Sequence, residues 1–124
     1  MTKITQPRQA VLIVENHELV RMFLVGLVET EGFEAIEAAN ADEALPILEG
    51  RPDIALLVTN VVMPGRLDGV GLAHAVDSRW PSVKIIVASG KRGLKESDLP
   101  GKSLLLAKPY PYEAMVSGIR SLAA

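Results

Sequence analysis

The chain has no cysteine, which excludes disulfide staples and thiolate chemistry and is compatible with a reducing compartment. It also lacks a basic excess: 13 Lys and Arg stand against 15 Asp and Glu, a formal net charge of −2, whereas nucleic-acid binding normally needs a basic patch. No nucleic-acid partner is expected. No apolar run approaches the roughly 18 residues of a membrane span, and residues 1–9 are polar, without the apolar core of a signal peptide. No membrane partner is expected either, and the chain reads as cytoplasmic. Internal repeats and linkers are missing too. What remains is ordinary globular composition, 48% hydrophobic and 23% charged over 124 residues, enough for one core without metal or disulfide support.

The organising stretch is Leu56-Leu57-Val58-Thr59-Asn60-Val61-Val62-Met63-Pro64-Gly65. An apolar run of this length, bounded by turn signals, suits a strand buried on both faces, as in a parallel sheet covered by helices. Asn60 then lies at its carboxyl end, the edge where ligands gather in open α/β sheets. Ahead of it, residues 1–9 form a polar lead expected to be mobile, and residues 10–14 read as another buried strand. Asn16 is placed to cap a helix over residues 17–31. Val20, Phe23, Leu24, Leu27 and Val28 give that helix its core stripe, and Gly32 stops it. Leu19, Met22 and Val25 fall off the stripe, either as scattered exposed apolar residues or as a partner-binding patch.

Residues 33–38 read as a short strand. Asn40, with Glu43 three residues on, resembles a capped helix start; the helix runs to about Gly50, with a kink or a short first turn expected at Pro46. Asp68-Gly69 opens a helix to about Trp80, a core anchor at the helix end, and Pro81 prevents its continuation. Residues 83–88 make a fourth strand ending at Ser89-Gly90. Residues 91–99 are polar and weakly periodic, so only a short, mobile helix is expected; the cluster Lys91, Arg92 and Lys95 reads as a solvated face or a contact for an acidic partner. Residues 103–107 form the fifth strand, and Pro111 fits the first turn of a last helix striped by Met115, Ile119 and Leu122. His17 and His74 have no spacing or acidic neighbour that makes them a metal pair. Five strands alternating with about five helices argue for a parallel sheet with helices on both faces, a single domain over residues 10–124 with no output domain after it.

Four strand ends carry polar residues: Glu15-Asn16, Asn60, Ser89 and Lys108 before Pro109. With Met63-Pro64 and Asp68-Gly69, this order resembles the receiver domain of two-component response regulators over essentially the whole chain. The resemblance implies a flavodoxin-like doubly wound (βα)5 sandwich with a five-stranded parallel sheet of order 2-1-3-4-5. It also implies a phosphoacceptor Asp at the end of the third strand, where this chain has Asn60. Glu15, Asn16, Asn60 and Val62 stand at the positions of the Mg²⁺ ligands, and Asn16 replaces the usual metal-binding Asp. Ser89 matches the switch hydroxyl and Lys108 the phosphate-contacting lysine. Leu105 replaces the aromatic switch residue, and the loop from Met63 to Asp68 is longer than usual.

An aspartyl phosphate needs an ionised carboxylate oxygen as nucleophile, and a neutral amide oxygen is a poor one. Each carboxylate lost near Mg²⁺ forfeits roughly 4 kcal/mol per ion charge at ε of about 20 and 4 Å, before desolvation offsets it. The expectation is therefore a degenerate receiver: no enzymatic activity, no cofactor, and Mg²⁺ only if the pocket is restored. It would act by phosphorylation-independent contact with a histidine kinase, a histidine phosphotransfer protein or another response regulator. Leu19, Met22 and Val25 would supply the partner surface, with a homodimer possible through the fourth helix, fifth strand and fifth helix. The alternative is an ordinary phosphoaccepting receiver whose Asp was replaced by Asn60. A small α/β nucleotide- or flavin-binding protein is disfavoured, because no Gly-x-Gly-x-x-Gly or Walker-type loop follows the first strand. That strand ends instead in Glu15-Asn16-His17-Glu18, which would repel phosphate.

Overall fold

The structure, a computed structural model, describes residues 9–101 and 103–124. The expected lead over residues 1–9 lies outside the described residues except for Gln9. Five strands, β1 (Ala10–Val14), β2 (Glu34–Ala38), β3 (Ile54–Asn60), β4 (Lys84–Ser89) and β5 (Leu104–Ala107), form one sheet. All pairs are parallel and the order is β2-β1-β3-β4-β5. Four helices, α1 (Glu18–Thr30), α2 (Ala41–Gly50), α3 (Gly69–Arg79) and α4 (Tyr112–Leu122), cover its two faces.

Alternation along the central strands sorts the core into two layers. Val11, Ile13, Leu56, Val58, Ile86 and Ala88 join α1 and α4 through Leu24, Leu27, Val28, Met115 and Ile119. Leu12, Val14, Leu57, Ile85 and Val87 face the other way, onto Ala44 and Leu48 of α2 and Leu72, Ala73 and Val76 of α3. β1 is buried along its whole length, which explains why its sequence is continuous rather than alternating.

The helix starts follow local chemistry. Asn40 accepts from the Glu43 N–H at 2.9 Å, and the Glu43 carboxylate accepts from the Ala39 N–H at 2.8 Å, a reciprocal cap close to the one expected. Asp68 caps α3 by accepting from the Gly71 N–H at 2.8 Å. At α1 the cap is His17, not Asn16: the His17 Nδ1 accepts from the Val20 N–H at 3.4 Å, and Asn16 is exposed one residue earlier. Glu15 accounts for the shift. Its carboxylate accepts from the His17 N–H at 2.9 Å, which turns the chain after β1 and delays the helix by one residue. Gly32 ends α1 at φ 92°, a left-handed geometry that glycine adopts without a Cβ penalty. Pro46 sits inside α2, which continues to Gly50.

Two other expectations change. Phe23 is not a core residue; it is 50% exposed and meets Tyr112 of α4 edge to face at 6.2 Å. Val25 is partly exposed, as its place off the stripe implies, but it also packs against the α1/α4 core layer and is less exposed than Leu19 and Met22. Residues 91–99 contribute only a single 3-10 turn, Glu96–Asp98, so among the described residues no α-helix lies between β4 and β5 and the expected homodimer face lacks its first element. The turn is held by Lys95 N–H donating to Asp98 Oδ2 at 2.8 Å, and is tied to α3 by His74 Nε2 and the Asp98 carbonyl at 2.8 Å.

Candidate functional site

The carboxyl ends of β1, β3, β4 and β5 bring Glu15, Asn60, Ser89 and Lys108 to one edge of the sheet, around a loop that runs from Val61 into α3. That loop is drawn tight by the Gly69 N–H, which donates to the Val61 carbonyl at 2.8 Å. A Cβ at residue 69 would lie 2.8 Å from the Val61 Cα and collide with the Asn60 main-chain carbonyl, so only glycine allows α3 to start this close to β3.

Asn60 uses both ends of its amide. Its Oδ1 accepts from the Val61 N–H at 2.9 Å and from the Lys108 ammonium at 3.2 Å, and its Nδ2 donates to the Val62 carbonyl at 3.1 Å. Glu15 lies beneath at 3% exposure, one of three buried polar residues among the described residues, with Thr59 and Ser89. Besides the His17 N–H, the Glu15 carboxylate faces the Lys108 Nζ at 4.0 Å. Lys108 thus stands between the buried carboxylate and the amide oxygen. Nearby, burial and then the Glu15 charge raise the Tyr110 phenol above its ordinary pKa. Ser89 Oγ accepts from the Lys91 N–H at 2.9 Å, and the Ser89 carbonyl accepts from the Lys108 N–H at 2.8 Å, which locks the ends of β4 and β5 together.

An open cleft of about 590 Å³ lies over this arrangement, lined by Asn60, Val62, Met63, Asp68, Lys91 and Lys108. Asn16 is exposed and is not among the residues lining it. Leu105 packs into the α2/α3 core layer, away from the cleft. Lys91, expected on a solvated face or at an acidic partner, is exposed and also lines the cleft; its place two residues after Ser89 is the sequence signal for that. Among the described residues no cluster of three His, Asp or Glu side chains is spaced to hold a metal ion, and no helix is long and apolar enough to cross a membrane.

A second surface adjoins the first. Leu19 is 70% and Met22 59% exposed on α1, and Tyr112, at the start of α4, is 53% exposed. A largely apolar groove of about 540 Å³ runs between these helices, lined by Val20, Phe23, Pro109, Tyr110, Tyr112 and, at its end, Lys108. Lys108 therefore lines both cavities. Sequence periodicity missed Phe23 and Tyr112, because an aromatic on the edge of a helix stripe reads as core.

Comparison with known proteins gives consistent results. The family model described as response regulator receiver domain matches residues 11–119. The response regulator receiver protein CpdR of Brucella abortus is 30% identical over 115 residues, covering 90% of this chain and 94% of CpdR. A putative response regulator, NtrX-like, of Rickettsia bellii is 32% identical over 80 residues, 64% of this chain but only 17% of that protein, so the chain spans under a fifth of its length. Among solved structures, the receiver domain of the hybrid histidine kinase CckA superposes with a TM-score of 0.76 at 27% identity, covering 93% of this chain and 99% of that domain.

Proposed function

The chain belongs to the response regulator receiver domain family of two-component signalling, and from that premise we propose that it is a degenerate receiver acting by protein–protein contact without its own phosphorylation. The observation that carries this reading is Asn60: at the end of β3, it offers a neutral amide whose two ends are already engaged with Val61, Val62 and Lys108. No ionised oxygen is available there to attack a phosphoryl group.

The same residues do not fit Mg²⁺. A hard divalent cation needs oxygen donors with their charge free, whereas Glu15, the one carboxylate among Glu15, Asn16, Asn60 and Val62, is engaged by His17 and Lys108. The Val62 carbonyl, which accepts from the Asn60 Nδ2, is occupied as well. In this reading Lys108 supplies the positive charge, and neither catalysis nor a cofactor is part of the function.

The output surface is the exposed part of α1, Leu19 and Met22, extended by Phe23 and Tyr112. Its partner is a histidine kinase, a histidine phosphotransfer protein or another response regulator, in the cytoplasm. A second reading, a phosphoaccepting receiver whose Asp was replaced by Asn60, is supported by the retention of Glu15, Ser89 and Lys108 around the site.

Thermal unfolding of the protein and of Asn60→Asp, with and without millimolar Mg²⁺ and beryllofluoride, separates the two readings, because a ligand of the native state must raise the midpoint. The degenerate reading expects neither protein to respond. A rise of several degrees in Asn60→Asp alone would mean that residue 60 by itself holds off a working site, and would favour the second reading.

A further inference from the structure

A second cavity lies at the amino ends of β4 and β5, the sheet edge opposite Asn60. It measures about 310 Å³ and is lined by Asp77 of α3, by Pro81, Val83, Lys84 and Ile85 around the start of β4, and by Ser103 just ahead of β5. Strand register opens it. Lys84 and Ile85 pair with Leu56 and Leu57 of β3, but the β4–β5 pairing begins only at Ile86 and Leu104. Ahead of that pair the chain is held in its own turn, where the Ser103 N–H donates to the Pro100 carbonyl at 3.0 Å. β4 and the entry to β5 therefore splay, and the gap between them is the cavity.

The polar groups on its wall lack partners. Among the described residues, the Ser103 Oγ is buried and makes no hydrogen bond, a state native proteins rarely keep because the desolvation of the hydroxyl is then uncompensated. Asp77 and Lys84 are the charges on the wall, and among the described residues neither is in an ion pair. Alternation keeps them apart: Ile85 faces the α2/α3 layer, so Lys84 turns to the other face of the sheet, while Asp77 comes from α3 itself. The surface between them is apolar, with Val83 and Ile85 buried.

A simple anion held by Lys84 would be repelled by Asp77, and a simple cation held by Asp77 would be repelled by Lys84. A ligand carrying both charges on an apolar body satisfies both walls. We infer that this cavity binds a small zwitterion, an α-amino acid with a short aliphatic side chain. Its ammonium pairs with Asp77, its carboxylate pairs with Lys84 and accepts from the Ser103 hydroxyl, and its side chain lies on Val83 and Ile85. A volume of about 310 Å³ is at the small end of ligand pockets, which suits an amino acid and excludes a nucleotide. The site shares no residue with the Asn60 cleft, so it stands or falls independently of the degenerate-receiver reading.

The full chain is titrated calorimetrically with L-alanine and L-valine, each beside the amine that lacks its carboxylate (ethylamine, isobutylamine) and the acid that lacks its ammonium (propionate, isovalerate). At least one amino acid is expected to bind about fivefold or more tighter than both of its analogues. Asp77→Asn is expected to erase the margin over the acid, and Lys84→Met the margin over the amine. Both residues are exposed, so these variants are expected to keep the fold. Ser103→Ala is expected to bind about threefold or more weakly while melting no lower than the wild type, because it removes a buried hydroxyl that has no partner. No saturable heat from either amino acid up to about 20 mM, amino acids bound no tighter than their analogues, margins that survive both charge substitutions, or undiminished binding by Ser103→Ala would each overturn the inference.

Discussion

Lys108→Met tests whether the pocket is electrically complete without a metal. The Glu15 side chain is 4% exposed and Lys108 34%, with Nζ and Oε1 4.0 Å apart. At an effective dielectric of about 20 that separation corresponds to roughly 4 kcal/mol of gross attraction. The third of Lys108 still in water and the outer-limit distance reduce the net effect, as does the Arg21 guanidinium, which donates to the Glu15 main-chain carbonyl at 2.8 Å and stays close by. We therefore expect Lys108→Met to destabilise the fold by about 1–2 kcal/mol, chiefly by leaving a buried carboxylate uncompensated. For a domain of this size that corresponds to a fall of roughly 3–8 °C in melting temperature. Glu15→Gln, which keeps an acceptor for the His17 N–H, should cost less than about 0.5 kcal/mol. The double variant should recover most of the Lys108→Met loss, giving a coupling of about 1 kcal/mol in urea unfolding. A Lys108→Met protein within about 0.3 kcal/mol of the wild type, or a double variant as unstable as Lys108→Met alone, would refute the reasoning.

Gly69→Ala drives a methyl into the Asn60 carbonyl and the Val61 Cα. It should cost about 3 kcal/mol or more, as a backbone collision that no flexible side chain can relieve; a urea midpoint near that of the wild type would contradict the close approach. The ion pair at the opposite end of the sheet predicts a pH dependence. Hydrogen bonds from Arg51, at 2.6 and 2.8 Å, hold the Asp53 carboxyl below its ordinary value. A depressed folded pKa gives stability that is present above the unfolded value of about 4 and is lost as pH falls through the folded one. Arg51→Gln should therefore lower the melting temperature at pH 7 and converge with the wild type in strong acid; a gap that persists at pH 2 would sink the assignment. Leu19→Glu, at a residue 70% exposed, should leave the melting temperature within about 2 °C of the wild type while abolishing partner binding, since such surface positions seldom change stability by more than about 0.5 kcal/mol.

The sheet was legible because each of its central strands is both a continuous apolar run and a polar end. Residues 54–60 and 84–89 announce burial and the site edge in the same few letters. The order of the strands came from the resemblance, not from periodicity, which carries no information about neighbours. Errors gathered where one helix face meets a second helix. Phe23 satisfies the α1 core spacing, but α4 arrives beside it rather than over it, so the ring is left edge-on to Tyr112 with half its surface in water. Val25, off that spacing, keeps part of its surface in water while packing against the same core layer. The cap at His17 was hidden because it depends on a buried Glu15 that reaches two residues forward. Asn16, the better capping residue by type, lies on the stretch that this bond turns outward.

The changes at the site point in one direction. A neutral amide at residue 60 removes the charge whose arrival and departure would move Lys108, and Lys108 is already held between that amide and Glu15. The Ser89 hydroxyl is engaged by the Lys91 N–H, Leu105 is half-buried against the α2/α3 core layer, and the described part of the segment between β4 and β5 contributes one 3-10 turn pinned to α3 by His74. A two-state switch needs a ligand with different affinity for its two arrangements, and under the degenerate-receiver proposal a pocket with an amide at residue 60 and Lys108 beside it has none. The α1 face, with Leu19, Met22 and Phe23 exposed beside Lys108, is built from residues that do not depend on that switch. The degenerate-receiver proposal therefore predicts a partner surface that is presented constitutively, so that partner binding by the protein as it stands is unchanged by a small-molecule phosphodonor with Mg²⁺; a phosphodonor-dependent change in binding would refute it.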